Sequence, residues 1–238
     1  MRRALLAAAL AVAAPAARAE SPRYGAFEFR LSGYRPNIDA EFGGQAHPYA
    51  DVFGGGRGLM ARGALFRSLY VGFGTIDVGV GAGYWEKYGH GLLQSGQQAA
   101  DTTALKIVPV SAIVGYRFDW LADQLGVPLA PYARFSLERY WWWVNTGSGK
   151  TAVYQDASGG RAEGAGATNG YSVTLGLALQ LDFFDRSMAA DMDRDTGINH
   201  TYLFFDATRS YVSDFHSRSS WDLSDDHWTL AGGLLFVF

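Results

Sequence analysis

Apolar and polar side chains alternate with a period of two along most of the chain, in segments of roughly ten residues separated by turns rich in Gly, Asp and Ser. The clearest segment covers residues 171–183. Tyr171, Val173, Leu175, Leu177, Leu179, Leu181 and Phe183 fall on one face, with Ser172, Thr174, Gly176, Ala178, Gln180 and Asp182 on the other. An apolar face of that length is about twice that of an average strand and suits a tilted crossing of a bilayer. The same period predicts further strands over residues 24–34, 58–66, 75–86, 102–118, 129–144, 201–211 and 227–238. In the strand over 75–86, Ile76, Val78, Val80, Ala82 and Tyr84 face one way, and the small residues Gly79, Gly81 and Gly83 share the opposite face with Asp77 and Trp85. The last strand carries Trp228, Leu230, Gly232, Leu234, Phe236 and Phe238 in its apolar row.

Eight such strands predict an all-β fold, an eight-stranded antiparallel transmembrane up-and-down β-barrel. An even count puts both ends of the barrel domain on one side, the periplasmic side. The long extracellular loops are then expected over 35–57, 87–101, 145–170 and 212–226, and short periplasmic turns over 67–74 and 119–128. The third inner connection, 184–200, is longer, with a helix expected around 187–193. Aromatic residues should concentrate at the two water interfaces: Tyr34, Tyr84, Trp85, Tyr140 to Trp143, Tyr171, Tyr211 and Trp228 outside, and Tyr24, Phe27, Tyr116, Phe118, Trp120, Phe183, Phe184, Tyr202, Phe204, Phe236 and Phe238 inside. The alternation turns Glu28, Arg30, Arg62, Asp77, Arg117, Arg134, Glu138, Asp182 and Asp206 inward. Four arginines against five carboxylates in an interior just wide enough for side chains imply a paired network that plugs the lumen.

Composition narrows the class further. Charged residues make up only 18% of the 238 positions, Gly supplies 30 of them, and there is no Cys. That leaves no disulfide framework, no cysteine zinc site and no thiol nucleophile. A net charge of −3 provides no global basic field for nucleic acid. Arg2 and Arg3, the apolar run over 4–14, and Ala17-Arg18-Ala19 before Glu20 have the three parts of a secretory signal. The apolar run is about half of the roughly twenty residues a spanning helix needs. Residues 1–19 are therefore expected to be cleaved, leaving 20–238 as the barrel domain.

Chemistry-bearing motifs are few. Gly147-Ser-Gly-Lys-Thr151 ends like a phosphate-binding loop, but Val144 stands where the pattern needs its first Gly. Asp191, Asp193 and Asp195 alternate like a calcium loop whose Gly comes one place late and whose twelfth position is Tyr202. Asn199-His-Thr201 matches a glycosylation sequon in form alone. The tract 216–227 concentrates His, Ser and Asp, so a hydrolase acting at the rim through His216, Ser217 or His227 is the alternative to a non-catalytic barrel, and a small-solute channel is a third. No catalytic, cofactor-binding or metal-binding residue is assigned, and no cofactor is expected.

With the strands placed, Trp228-Thr-Leu-Ala-Gly-Gly-Leu-Leu-Phe-Val-Phe238 resembles the assembly signal of bacterial outer-membrane proteins. The chain also resembles the small outer-membrane β-barrel proteins of myxobacteria and their relatives. The likeness runs through Tyr34-Arg-Pro-Asn-Ile-Asp39, through Ile107-Val-Pro-Val-Ser-Ala-Ile-Val-Gly-Tyr-Arg-Phe118 with Pro131-Tyr132, and through Asp195-Thr-Gly-Ile-Asn-His-Thr-Tyr-Leu-Phe-Phe205. It implies a barrel in the Gram-negative outer membrane, reached through the periplasm, and a monomer is expected. Its partners would be outer-membrane lipid and the assembly machinery that reads the strand ending in Phe238. The sheet cannot lose its edges until that strand is recognised. Deleting Phe238, or replacing it with Asp, is therefore expected to lower the amount of folded protein in the outer membrane, measured by heat-modifiable mobility in membrane fractions.

Overall fold

The computed structural model describes residues 22–92, 95, 97–155, 160–217 and 220–238; the export signal expected over 1–19 lies outside the described residues. Eight long strands form the barrel: β1 (Gly25–Tyr34), β2 (Gly58–Gly72), β3 (Gly74–Leu92), β4 (Gln98–Arg117), β5 (Leu129–Asn145), β6 (Ala165–Gln180), β7 (His200–Tyr211) and β8 (Thr229–Val237). Each pairs antiparallel with its neighbours in sequence. β8 returns to β1, with Ala26 opposite Val237 and Ser32 opposite Ala231, so the sheet closes. Beyond the last pair the Phe238 amide donates to the Gly25 carbonyl, and the Phe238 carbonyl accepts from the Tyr24 and Gly25 amides. A short hairpin, Val153–Gln155 with Arg161–Glu163, stands apart in the β5–β6 connection. Three helices occupy other connections: α1 (Pro48–Phe53), α2 (Trp120–Leu125) and α3 (Arg186–Thr196). The last covers the helix expected around 187–193. The first two carry no strong periodicity and were not foreseen.

Strand boundaries depart from the alternation for identifiable reasons. β2 continues to Gly72 because a bulge between Ser68 and Tyr70 shifts the pleat, leaving Leu69, Tyr70 and Val71 all exposed. The expected turn over 67–74 shrinks to Phe73, with Gly74 at φ +91°, a conformation that favours glycine. β3 and β4 run on past Trp85 and Ile107 as a hairpin that has left β2 behind, and one face of its alternating residues 87–92 meets α1 where the rest of β3 meets the barrel core. There α1 packs against β3 so closely that a Cβ on Gly89 would lie 2.0 Å from the Val52 carbonyl oxygen. The contrast of long outer loops with short inner turns therefore holds only in part. The β3–β4 connection is the brief stretch 93–97, whereas the β6–β7 connection at the opposite end carries α3.

The wall separates two chemistries. Outward rows are apolar and open, with Leu230 72% and Phe205 64% exposed. The inward positions stack in three tiers. Next to the termini, Phe66, Tyr132, Tyr202, Phe204, Leu235 and Val237 form an apolar layer with small alanines. Above it lies an ion-pair ladder. Arg134 reaches Glu28 at 2.6 Å, Arg30 spans Glu28 at 3.2 Å and Asp206 at 2.8 Å, and Arg62 meets Glu138 at 3.0 Å. Tyr132 donates to Asp206 at 2.6 Å, and Ser172 to Glu138 at 2.8 Å. The third tier, at the loop-bearing mouth, is aromatic. Two cavities remain around the ladder, of about 30 and 20 Å³, each with room for about one water.

Of the nine charges expected inside, eight sit there. Arg117, a strand-end residue, is buried between Asp77 at 3.6 Å and Asp119 at 3.3 Å. Asp182 lies past β6, in the 3-10 turn Leu181–Phe183 at the rim. The aromatic expectation needs a correction by parity. Tyr34, Trp85, Tyr140 and Trp142 at one end, and Tyr202 and Phe204 at the other, point into the barrel and are buried, so they build its core and not its girdles. Position along a strand sets the height of a ring; odd or even count sets its side.

Arg134 also lies over the rings of Phe66 and Tyr132, at 4.8 and 4.6 Å from their centroids. Replacing it with Ala leaves a buried carboxylate short of a cation and opens a void beside two rings. The expected cost is about 3 kcal/mol, to be read from equilibrium urea unfolding of the refolded barrel in lipid vesicles.

Candidate functional site at the loop-bearing mouth

Two connections fold over the mouth opposite the termini. The β1–β2 connection makes a 3-10 turn, Ile38–Phe42, and then α1, which opens on Pro48, where a missing N–H costs nothing. Asp39 anchors the start of α1 by accepting the Tyr49 amide at 2.7 Å and the Ala50 amide at 3.3 Å. α1 ends on Gly54 in the left-handed conformation, and the Tyr49 hydroxyl reaches the Gly56 carbonyl at 3.0 Å. The β7–β8 connection turns back into the barrel. Its Leu223 amide donates to the Val212 carbonyl at 2.8 Å, and the Leu223 carbonyl accepts the Tyr34 hydroxyl at 2.6 Å. Leu223 and Val212 are fully buried among Tyr34, Trp85, Ile107, Tyr140 and Trp142, and Trp221 stacks on Trp142 with centroids 4.1 Å apart. The two connections join through a bridge between Pro36 and Asp225 and through the Asn37 amide on the Ser224 carbonyl at 3.0 Å.

A charged latch holds this cover. Arg57 meets Asp225 at 2.5 Å and Asp226 at 2.7 Å, and Arg35 links Asp226 at 3.4 Å to Asp39 at 3.3 Å. Arg209 donates to the backbone carbonyls of both aspartates, and the Thr229 hydroxyl donates to the Asp225 carboxylate. Burial pushes the Asp225 carboxyl up to about 6, with the neighbouring Asp226 adding to the rise against the pull of Thr229 and Arg57. Asp226 is itself opposed by burial, but bonding to Asp225 and His227 and the charge of Arg57 hold it below the usual carboxylate range.

The rim residues singled out from the sequence do not assemble into a reaction centre in the described structure. His227 is 79% exposed and meets only Asp226, whose Oδ2 lies 3.2 Å from its Nδ1. Ser217 is exposed, and the side chain of His216 lies outside the described residues. The Gly147–Thr151 stretch makes a turn closed by the Thr146 amide on the Lys150 carbonyl and opens no helix. Asp191, Asp193 and Asp195 lie on α3 and not in a loop; Asp191 and Asp195 pair with Arg194. Among the described residues no three His, Cys, Asp or Glu side chains gather as a metal site.

Sequence reasoning missed the closest His–carboxylate contact. At the opposite mouth, His200 Nδ1 lies 2.7 Å from Asp182 Oδ2 and 2.9 Å from Gln180 Nε2, while Asp182 Oδ1 accepts the Thr201 amide at 3.1 Å. The group satisfies the start of β7, at the edge of an open groove of about 920 Å³ between α2 and α3. No spacing could have revealed it, because the 3-10 turn and α3 separate the partners in the chain. The mouth cover was equally hidden: Trp221 and Leu223 stand in a tract otherwise polar.

No protein-family model matches the chain. No curated protein matches it either. Among solved structures it is similar to Neisserial surface protein A, with a TM-score of 0.46 and 12% identity, over 91% of this chain and 97% of that one. It is also similar to Ail, the attachment invasion locus protein of Yersinia pestis, in complex with the heparin analogue sucrose octasulfate, with a TM-score of 0.36, 10% identity and the same two coverages. The architecture itself rests on the strand pairing given above.

The latch sets a sign for pH dependence. A carboxyl raised in the folded state binds its proton more tightly there than when unfolded, so the stability Asp225 contributes is fullest below the ordinary carboxylate range and is lost as pH rises through about 6. Asp226, held low, works the other way and loses its contribution on acidification. Amide hydrogen exchange at Leu223, corrected for its intrinsic rate, is expected to be less protected at pH 7 than at pH 5. Asp225→Asn should remove that difference.

Proposed function

We propose that the chain is a non-catalytic bacterial outer-membrane barrel with a structural or surface-interaction role. In this reading residues 1–19 direct export and are removed, and the chain crosses the periplasm. The final strand, with Phe238, is read by the assembly machinery, and the barrel stands as a monomer in outer-membrane lipid. The covered mouth faces the outside. One observation carries the reading: a closed barrel whose outer wall is continuously apolar while its interior holds the charges. Monomeric soluble proteins rarely expose apolar patches beyond a few hundred Å², and here open apolar rows run along every strand, from Phe29 and Leu65 through Val80, Val114 and Leu137 to Leu175, Phe205 and Leu230. Closure satisfies the backbone hydrogen bonds that a bilayer would leave orphaned.

The ion-pair ladder, the two small cavities and the aromatic tier support a plugged lumen over a channel. Among the described residues His227 bonds to Asp226 with no hydroxyl hydrogen-bonded to it, which favours a non-catalytic rim over a hydrolase. Membership among the small outer-membrane barrel proteins of myxobacterial type rests on the sequence stretches quoted above.

Topology is testable without a ligand, since the chain has no Cys of its own. A membrane-impermeant maleimide applied to intact cells is expected to label Ser148→Cys, in the β5–β6 connection, and to spare Ser187→Cys on α3. The purified barrel in planar bilayers should show no steady pore. The reverse labelling would invert the orientation, and a defined conductance would favour a channel.

A further inference from the structure

Each inward arginine has a carboxylate partner: Arg30, Arg62, Arg117 and Arg134 all lie within ion-pair distance of one. Arg139, an exposed residue on the outward face of β5, has none among the described residues. Its guanidinium lies 5.6 Å from the centroid of the Trp141 ring and donates to Asn169 Oδ1 at 3.2 Å. Asn169 occupies the outward position on β6 beside Tyr171, and its Nδ2 donates in turn to Asp214 Oδ1 at 2.8 Å, with its backbone amide at 3.3 Å. The Asn169 amide thus stands between Arg139 and Asp214, bonded to both. It also fixes where the β7–β8 connection begins its path: the turn at Asp214 hangs over the outer flank of the wall before the chain dives back to Leu223.

On that flank Asp214 and Phe215 have φ of 51° and 56°, left-handed values uncommon for any residue but Gly. The Phe215 ring they present is 66% exposed. Close by in the sheet, Phe135, Tyr171 and Tyr211 form an outward stacked row, with centroids 6.1 and 5.2 Å apart, continuous with the apolar belt. The flank thus combines a guanidinium without an anion, an indole, and a ring held out on a backbone that Asn169 anchors, at the end of the belt where hydrocarbon would give way to head groups. Amphipathic rings settle at that level, and the planar fork of Arg matches phosphate oxygens.

We infer that this flank docks on the head-group layer of the surrounding membrane, with Arg139 binding a lipid phosphate and Phe215 inserted beside it as a wedge. The inference rests on the membrane-spanning reading above, and the experiment separates the two. Phe215→Cys and Leu175→Cys, the latter in the middle of the belt, are each labelled with a small fluorophore in the full chain. The proteins are refolded into vesicles of phosphatidylcholine and phosphatidylglycerol that carry nitroxide either at the head group or deep in the acyl chain. The Phe215 label should be quenched chiefly by head-group nitroxide, and the Leu175 label by the chain nitroxide. If the Phe215 label is quenched by aqueous iodide and by neither lipid while Leu175 behaves as expected, the docking inference falls and the barrel reading stands. If neither label sees lipid, both fall. In a second arm, native mass spectrometry of Arg139→Gln should show about fivefold less retained phosphatidylglycerol, with uncharged diacylglycerol unchanged. Equal retention of phosphatidylglycerol would overturn the phosphate assignment, as would capture of a protein on this flank that excludes lipid from the Phe215 label.

Discussion

The seam between β1 and β8 is the contact on which the rest of the molecule depends. An open eight-stranded sheet of this composition would expose two rows of unpaired amides and carbonyls, and nothing would define an inside. Once Ala26 pairs with Val237 and Phe238 bonds back to Gly25, every strand has two neighbours and every side chain belongs to one of two environments. The period of two then becomes a sorting rule. Leu175 is outside and Thr174 inside because of a single step along the backbone, and the register carries that distinction around the whole wall.

Closure also explains why charge sits at the centre of the molecule. The interior of so narrow a barrel is filled by side chains, so the arginines and carboxylates there lose most of their water. They persist by pairing: Glu28 is shared by Arg30 and Arg134, and Arg30 passes on to Asp206, which also takes the Tyr132 hydroxyl. Apolar tiers above and below limit access to this ladder. The lower tier is assembled from strand residues alone. The upper one is completed by Ile38 and Tyr49 from the β1–β2 connection and by Val212, Trp221 and Leu223 from the β7–β8 connection, so the loop-bearing end of the core depends on two connections that Arg57, Asp225 and Asp226 fasten together.

The β7–β8 connection takes part in both the buried tier and the latch. Its Val212 and Leu223 are buried in the mouth, while Asp214 between them is held to Asn169 on the outward face of β6. Its charges are spent on structure as much as on surface display. Asp225 is buried against Arg57, and Asp222 accepts from Asn37 at 3.0 Å. A tract that reads as a pool of acid, base and nucleophile types is, to this extent, a fastening.

The sequence by itself determined the class of fold, the number of barrel strands, which residues of each long strand share a face, and eight charges that lie inside, of nine that the alternation turned inward. Alternation is a local property, set by the pleat and independent of what the face meets. Tertiary structure decided what alternation could not carry. The bulge at Ser68 and Tyr70 and the hairpin past Trp85 moved strand ends, because one shifts the pleat and the other packs on α1 from a distant connection. That Trp85, Tyr140 and Tyr202 belong to the core and not to the girdles follows from their odd or even place along the strand, which the alternation already carried. The pairing of Asp182 with His200 joins the facing ends of neighbouring strands across α3, and those of Arg57 with Asp225 and of Leu223 with the aromatic tier join residues that closure brings together; a through-space contact leaves no period in the chain that makes it.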